Sequence, residues 1–236
     1  NAVFLGGGPE GQQKRDRGIK RSGSGPGRRG NKKKNEYIWS HNLADNSFSY
    51  LFKSLNKIIK SEISIKKNLL DVGCGNGFLT KNIAKNFENI FAIDSSISAI
   101  EQAKKEYSGK INFSKNNLDE LKSNKQFDCI TLIEVIEHLY SPDKMLQSIH
   151  KVSSYDSRII ISTPYHGFIK NLLILLTGKF NNHFSPLWED GHIKFFSKST
   201  LVEICKRNNF TVEKIFYSGR FFPLSKSIIL IIKKST

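Results

Sequence analysis

The stretch Asp71-Val72-Gly73-Cys74-Gly75-Asn76-Gly77 puts glycine at alternate positions directly after an apolar run, Asn68–Val72. Glycines so spaced let a chain turn sharply and bring its backbone against a ligand with no Cβ in the way. Helical periodicity resumes at Phe78, and the free N–H groups of a helix start favour a carboxylate or phosphate. Asp94 closes the next apolar run, Ile90–Asp94, 21 residues after Gly73. A carboxylate there can accept hydrogen bonds from both hydroxyls of a ribose. A glycine turn paired with such an acid points to an adenosine-bearing ligand. The plainer alternative is a turn needed only for close strand–helix packing. A dinucleotide turn wants Gly or Ala at position 78; Phe78 weakens that assignment. A phosphate loop is excluded, because no Gly-Lys-Ser/Thr sequence occurs.

The elements that must position this turn alternate in type. Ser47–Lys60 places Phe48, Leu51, Phe52, Leu55, Ile58 and Ile59 on one helical face. Strands are predicted at Asn68–Val72, Ile90–Asp94, Lys110–Phe113, Phe127–Ile133 and Arg158–Ser162, with helices at Phe78–Phe87, Ser96–Tyr107 and Ser141–Val152 between them. Ser96 is a helix cap, and Pro142 suits the first turn of its helix. Strands separated by helices imply a doubly wound α/β fold, a parallel sheet with right-handed crossovers. A last helix, Ser199–Asn208, precedes strands near Thr211–Tyr217 and Ser227–Lys233, which suggests an antiparallel edge.

The segment Leu69–Gly77, LLDVGCGNG, resembles the first motif of class I S-adenosylmethionine-dependent methyltransferases. Asn116–His150 is similar to the corresponding region of ubiquinone-biosynthesis O-methyltransferases, including their Glu-x-x-Glu-His sequence at Glu134–His138. Gly191–Phe196 resembles a motif of that subgroup and of related enzymes of polysaccharide gene clusters. The resemblance spans about residues 37–233. It implies a seven-stranded sheet in the order 3-2-1-4-5-7-6 with strand 7 antiparallel, in one domain over 35–236. It also implies S-adenosylmethionine as the cofactor. The implied cofactor site comprises Asp71, Gly73, Cys74, Gly75 and Gly77 of the turn, then Asp94 at the ribose with Ser95 beside it. Asn117 and Leu118 approach adenine, and Ile133 and Glu134 lie near the sulfonium. Asn117 stands where the family usually has Asp, and Ser153–Ser157 replaces the usual Pro-Gly-Gly turn. Ser162-Thr163-Pro164-Tyr165 is not the Asn-Pro-Pro-Tyr motif of amino-group methylation.

Methyl transfer to a hydroxyl requires alignment of the acceptor and removal of its proton, and histidine is the side chain suited to the second task. His138, His166 and His192 are the candidates, because they follow strand four, follow strand five and precede the last helix. His41, His150 and His183 read as surface or packing residues. Glu134, Glu137 and His138 could together ligate Mg²⁺ or Zn²⁺. The competing reading, which is preferred, has no metal: Glu134 contacts the cofactor region and Glu137 orders the loop. Residues 164–190 form an insert whose helix-like stretch, Phe168–Leu176, is strongly apolar. That stretch is a lid over an apolar acceptor, an interfacial helix touching a membrane, or ordinary packing on the sheet edge. Trp188, Phe184 and Phe180 are expected at the same entrance, with Tyr37 and Trp39 on the other side.

Composition limits the alternatives. The 236 residues carry a net charge of +16 and three cysteines with no Cys-x-x-Cys spacing. A disulfide framework is therefore not expected, and a cytoplasmic setting fits. Half of the charge lies in residues 1–34, which hold ten Lys/Arg and two acids. This glycine- and arginine-rich segment differs from the Lys-, Asn- and Ile-rich remainder, has almost nothing to bury, and reads as a disordered, foreign tail. It lacks the interleaved aromatics of a nucleic-acid-binding tail, so a nucleic-acid partner is not expected; an RNA-modifying methyltransferase is the rival that would need the tail. The expected acceptor is a small or lipid-like molecule, first a quinone-precursor phenol and next a sugar or glycan hydroxyl. Phe168–Leu176 is the candidate for peripheral membrane contact.

Overall fold

A computed structural model of the chain describes residues 48–107, 109–116, 121, 125–184 and 191–235. Residues 1–47, including the basic tail, Tyr37, Trp39 and His41, lie outside the described residues, as do Asn117, Leu118 and Trp188. The element order is α1 (Ser49–Glu62), β1 (Asn68–Val72), α2 (Phe78–Ala84), β2 (Asn89–Asp94), α3 (Ile97–Glu106), β3 (Ile111–Lys115), β4 (Phe127–Ile133), a 3-10 turn (Ile136–His138), α4 (Pro142–Val152), β5 (Ser153–Pro164), α5 (Phe168–Leu176), α6 (Phe180–Phe184), α7 (Lys198–Arg207), β6 (Phe210–Ser218) and β7 (Ser227–Lys234). The sheet order is β3-β2-β1-β4-β5-β7-β6. The first five strands run parallel, and β7 is antiparallel to both β5 and β6. This is the architecture that the resemblance implies.

Side chains of successive strand residues point to opposite faces, and the strands bury both. On one face Leu70, Ile130, Leu132, Leu230 and Ile232 pack with Met145 and Ile149 of α4 and Leu201 of α7. On the other, Leu69, Cys129, Ile229 and Ile231 pack with Leu51, Leu55 and Ile59 of α1 and Ile83 of α2. Helix starts follow their side chains: the Ser96 hydroxyl accepts from Ala99 N–H, and Ser197 and Thr200 form a reciprocal capping box.

Several boundaries differ from the sequence expectations, and three of them have a visible cause. β5 begins at Ser153, not Arg158. The segment expected as a turn joins the sheet because Ser153 pairs with Phe127 across a register shift in β4, and the Ser157 hydroxyl donates to Phe127 O. Helix α2 stops at Ala84 instead of Phe87. There the Asn86 side-chain amide donates to Ile83 O and competes with the helical bond. β3 extends to Lys115, since it continues to pair with β2 as far as Asp94.

Candidate active site

The carboxyl ends of β1, β2, β4 and β5 gather on one edge of the sheet, where open α/β folds bind ligands. The turn after β1 is fixed by its own backbone. Gly73 N–H donates to Ile93 O at 2.8 Å, and Gly77 N–H donates to Cys74 O at 3.0 Å. Gly73, Gly75 and Gly77 all have positive φ, at 75°, 54° and 77°. At Gly73 a Cβ would lie 2.5 Å from a Val135 methyl, and at Gly77 one would lie 2.7 Å from the Phe113 ring. Two of the three glycines are thus demanded by packing as well as by backbone conformation.

Asp94 does two jobs. Its Oδ2 accepts from Gly75 N–H at 2.8 Å and its Oδ1 from Ser96 N–H at 2.8 Å. A carboxylate offers about four lone-pair sites, so it can still accept from a ribose while Oδ2 holds Gly75 of the glycine turn and Oδ1 holds the start of α3. Burial raises its pKa, and the Ser96 and Gly75 bonds oppose that. Ser95 is exposed beside it. Asp71 is turned into the interior: Thr80 and Thr131 hydroxyls donate to its two oxygens at 2.6 and 2.7 Å. Burial pushes Asp71 up to about 6. Its position ties β1, α2 and β4 together beneath the turn. Cys74 is buried against Ala92, Ile100 and Phe113, and Ile133 is buried at the end of β4.

Glu134 leaves β4 with a φ of 57°, a strained value for a residue with a side chain. Its Oε1 accepts from the Ser162 hydroxyl at 2.7 Å. Burial raises its pKa. The 3-10 turn next to it buries Glu137 completely, and both carboxyl oxygens lack a hydrogen-bond partner. Burial, then the nearby Glu134 charge, holds Glu137 well above the usual carboxylate range. The backbone carbonyl of Glu137 accepts from Ile193 and Lys194 N–H, each at 3.0 Å. Those two bonds draw residues 191–194 across the end of β4.

The histidines converge here. His138 Nδ1 lies 3.2 Å from Gly191 O. A carbonyl can only accept, so this bond puts the proton on Nδ1 and the basic lone pair on Nε2. The His138 and His192 rings are 4.9 Å apart, and His192 Nε2 is 3.9 Å from Glu137 Oε1. Burial, then its neighbours His138, His166 and His183, lowers His192 to about 4. His192 is therefore uncharged at pH 7, so its contact with Glu137 is not an ion pair. His166 is buried, with its ring stacked on Phe184 and edge-on to His183 and Phe195. His183, which reads as a packing residue from sequence, joins the group. His150 instead packs beside Phe210.

Two further residues of the site carry no sequence signal. Lys170, in the first turn of α5, points back and donates to Tyr165 O at 2.7 Å. Burial, then Arg220, lowers it to about 8. Tyr50 of α1 meets the Ser227 hydroxyl at 2.7 Å, and burial, then the Glu134 charge, raises its pKa. Only a strand-end position for Ser227 and a lysine inside an apolar run could have hinted at this pairing.

Burial, then Lys170 and His183, lowers His166 to about 4. Between pH 6.5 and about 4 the unfolded chain binds a proton at this position that the folded chain refuses, so stability falls as pH falls. The full effect is up to about 3 kcal/mol. Asp71 acts in the opposite sense: its folded pKa is raised, so its contribution favours the fold as pH drops from about 6 to 3.8. A comparison with His166→Gln isolates the histidine. Between pH 7 and 4 the wild type should lose up to about 3 kcal/mol relative to the variant in chemical denaturation. A constant difference would show that His166 titrates normally.

Among known proteins, residues 39–215 match a family described as a methyltransferase domain. The ubiquinone biosynthesis O-methyltransferase of Rickettsia bellii (strain OSU 85-389) is 29% identical over 150 residues, 62% of each chain. The protein of the same name from Pelagibacter ubique (strain HTCC1062) is 28% identical over 182 residues, 74% of this chain and 76% of that one. The match thus spans less than two thirds of the Rickettsia relative's own length. Among solved structures, magnesium protoporphyrin IX methyltransferase from Synechocystis PCC 6803 with bound SAH superposes with a TM-score of 0.61 at 18% identity, over 78% of this chain and 82% of that one. A methyltransferase described as S-adenosylmethionine-dependent, from Clostridium acetobutylicum ATCC 824, gives a TM-score of 0.62 at 13% identity over 82% and 93%.

Proposed function

Because the chain belongs to the methyltransferase-domain family, we propose that it moves a methyl group from S-adenosylmethionine to a hydroxyl of a small or lipid-like acceptor. It is a class I S-adenosylmethionine-dependent methyltransferase. The observation that carries the reading is the pairing of Asp94 with Gly75 of the glycine turn, which sets a carboxylate beside the turn at the end of β2, where it can still accept from a ribose. The residues fit the cofactor: backbone with no Cβ at Gly73, Gly75 and Gly77, and Asp94 at the end of β2. When bound, the cofactor supplies a methyl group already activated by a positive sulfur.

The chain's own residues do the rest. Asp94 and the turn hold the adenosine end, and Ile133 and Glu134 form the floor beside the reacting centre. His138, with its proton fixed on Nδ1 by Gly191 O, accepts the acceptor's proton at Nε2. His192 and His166 stay neutral near pH 7 and crowd that position with imidazole and aromatic faces. A quinone-precursor phenol is the leading acceptor, supported by the names of the relatives. A sugar or glycan hydroxyl is the second. The test is transfer of labelled methyl to phenolic, glycan and RNA acceptors supplied separately.

One observation favours a second reading of the same cluster. Glu137, His138 and His192 each offer a ligand atom, all within 4.8 Å of one another, and Glu137 is a buried acid without hydrogen-bond partners. Two imidazoles and a carboxylate suit a first-row cation such as zinc better than magnesium. Such an ion would neutralise Glu137 and orient an acceptor oxygen. This set differs from the sequence expectation by taking His192 in place of Glu134, which is turned to Ser162. On the metal-free reading, dialysis against a chelator leaves turnover within about twofold. A loss of about 10² or more, restored by zinc or manganese, establishes the second reading.

A further inference from the structure

Helices α1 and α2 pack side by side on one face of the sheet and leave an open groove of about 760 Å³ along their outer sides. Half-buried Phe52, Asn56 and Asn82 form its floor. Its rims are Lys53, Lys57 and Lys60 of α1 and Lys85 at the end of α2. All four lysines are exposed, and no Asp or Glu lines the groove. None of the four forms an ion pair with a described residue. Glu62, the single acid of α1, is turned away to Lys214 of β6 at 2.5 Å, and α2 contains no acid. Like charges gathered in this way repel one another, and an anionic partner relieves that repulsion.

The helical period sets the pattern. Lys53, Lys57 and Lys60 stand at i, i+4 and i+7, a stripe about 10 Å long at 1.5 Å per residue. Carboxylates at the same spacing on a second helix meet that stripe when the helix lies in the groove, with Lys85 on the opposite rim. The floor amides are already engaged. Asn56 Nδ2 donates to Phe52 O at 2.9 Å, Asn56 Oδ1 accepts from Asn86 at 2.8 Å, and Asn82 Nδ2 donates to Phe78 O at 3.0 Å. Recognition therefore falls to the lysines. A nucleic acid fits less well. Phe52 meets the Phe78 ring edge-on at 5.3 Å and offers no open face for a base, and no arginine lines the groove for bidentate phosphate contacts. A second copy of the chain, at a net charge of +16, is repelled by the same lysines. We propose that the α1–α2 groove docks an acidic helix of a partner protein, with its carboxylates against Lys53, Lys57, Lys60 and Lys85. The groove takes no residue from the glycine turn, Asp94 or the histidine cluster, so the inference does not depend on methyl transfer.

The experiment is fluorescence anisotropy of a labelled helical peptide of about 18 residues, with glutamates at i, i+4 and i+7, titrated with the full chain at low salt. The wild type should bind it at least about tenfold more tightly than the same peptide with glutamines. Lys53→Glu with Lys57→Glu should lower the affinity at least about tenfold, because two attractions become repulsions, and a peptide with lysines in place of the glutamates should recover the loss. Lys104→Glu with Lys105→Glu, exposed on α3, makes the same change in net charge and should alter binding less than about twofold. Each variant should keep its melting temperature and its affinity for S-adenosylhomocysteine. Three results overturn the proposal. The two pairs of substitutions weaken binding equally, which assigns it to net charge. The wild type does not distinguish the glutamate peptide from the glutamine one. Or poly-uridine RNA binds more tightly than the peptide and is released by Lys53→Glu with Lys57→Glu, which assigns the groove to nucleic acid.

Discussion

Replacing His138 by alanine should lower turnover by about 10²–10⁴-fold, with the affinity for S-adenosylmethionine changed by less than about threefold. The reason lies in the geometry after β4. The carbonyl of Gly191 fixes the His138 tautomer, so Nε2 offers a lone pair to an acceptor proton. His192 lies beside it and, held at about 4 by burial, is a weak base. His192→Ala should therefore cost only about tenfold, through loss of the ring that packs edge-on against His138. Because the two rings touch, the double variant should fall short of the product of the single losses. Stopped assays over pH 6–9, with acceptor and cofactor varied separately, check this. Full activity of His138→Ala across that range would remove general base catalysis and leave alignment alone to explain the rate.

Asp94→Ala should weaken binding of S-adenosylmethionine and of its demethylated product by about tenfold to a hundredfold, as a lost charged hydrogen bond of about 1.5–3 kcal/mol implies. Here the loss has a second source. The same carboxylate holds Gly75 and Ser96 N–H, so alanine also frees the turn that must lie against the ligand. Asp94→Asn keeps an accepting oxygen for one of those N–H groups and should fall between wild type and alanine. Titration calorimetry on the three proteins separates the outcomes. Equal affinities would take Asp94 out of the ligand site and leave it only the turn.

The sheet is legible in the sequence because its strands are short apolar runs between helical segments, and both faces of those runs are buried. The glycine turn is legible for a similar reason: positive φ at Gly73 and Gly77, with Val135 and Phe113 so close, leaves few other residues admissible. What sequence periodicity does not carry is the direction of polar side chains. Asp71 reads as a residue of the cofactor site, yet its oxygens are used by Thr80 and Thr131. The meeting of His183 with His166, and of Tyr50 with Ser227, joins residues distant along the chain and depends on how the insert folds back. The strand status of Ser153–Ser157 was hidden because serines satisfy a buried edge by bonding to backbone, here Ile149 O and Phe127 O. Helix α5 is recognisable as apolar, but that none of its residues is buried is a tertiary fact.

Methyl transfer from S-adenosylmethionine to the hydroxyl of a small or lipid-like acceptor, as proposed above, can be measured directly. The most direct measurement incubates the full chain with a methyl-labelled donor and separated lipid, glycan and RNA fractions, then counts alkali-stable label in each. Label should appear in the lipid fraction as an ether methyl and be lost in His138→Ala. Label confined to RNA, or no transfer to any fraction by a protein that binds the cofactor, would contradict it.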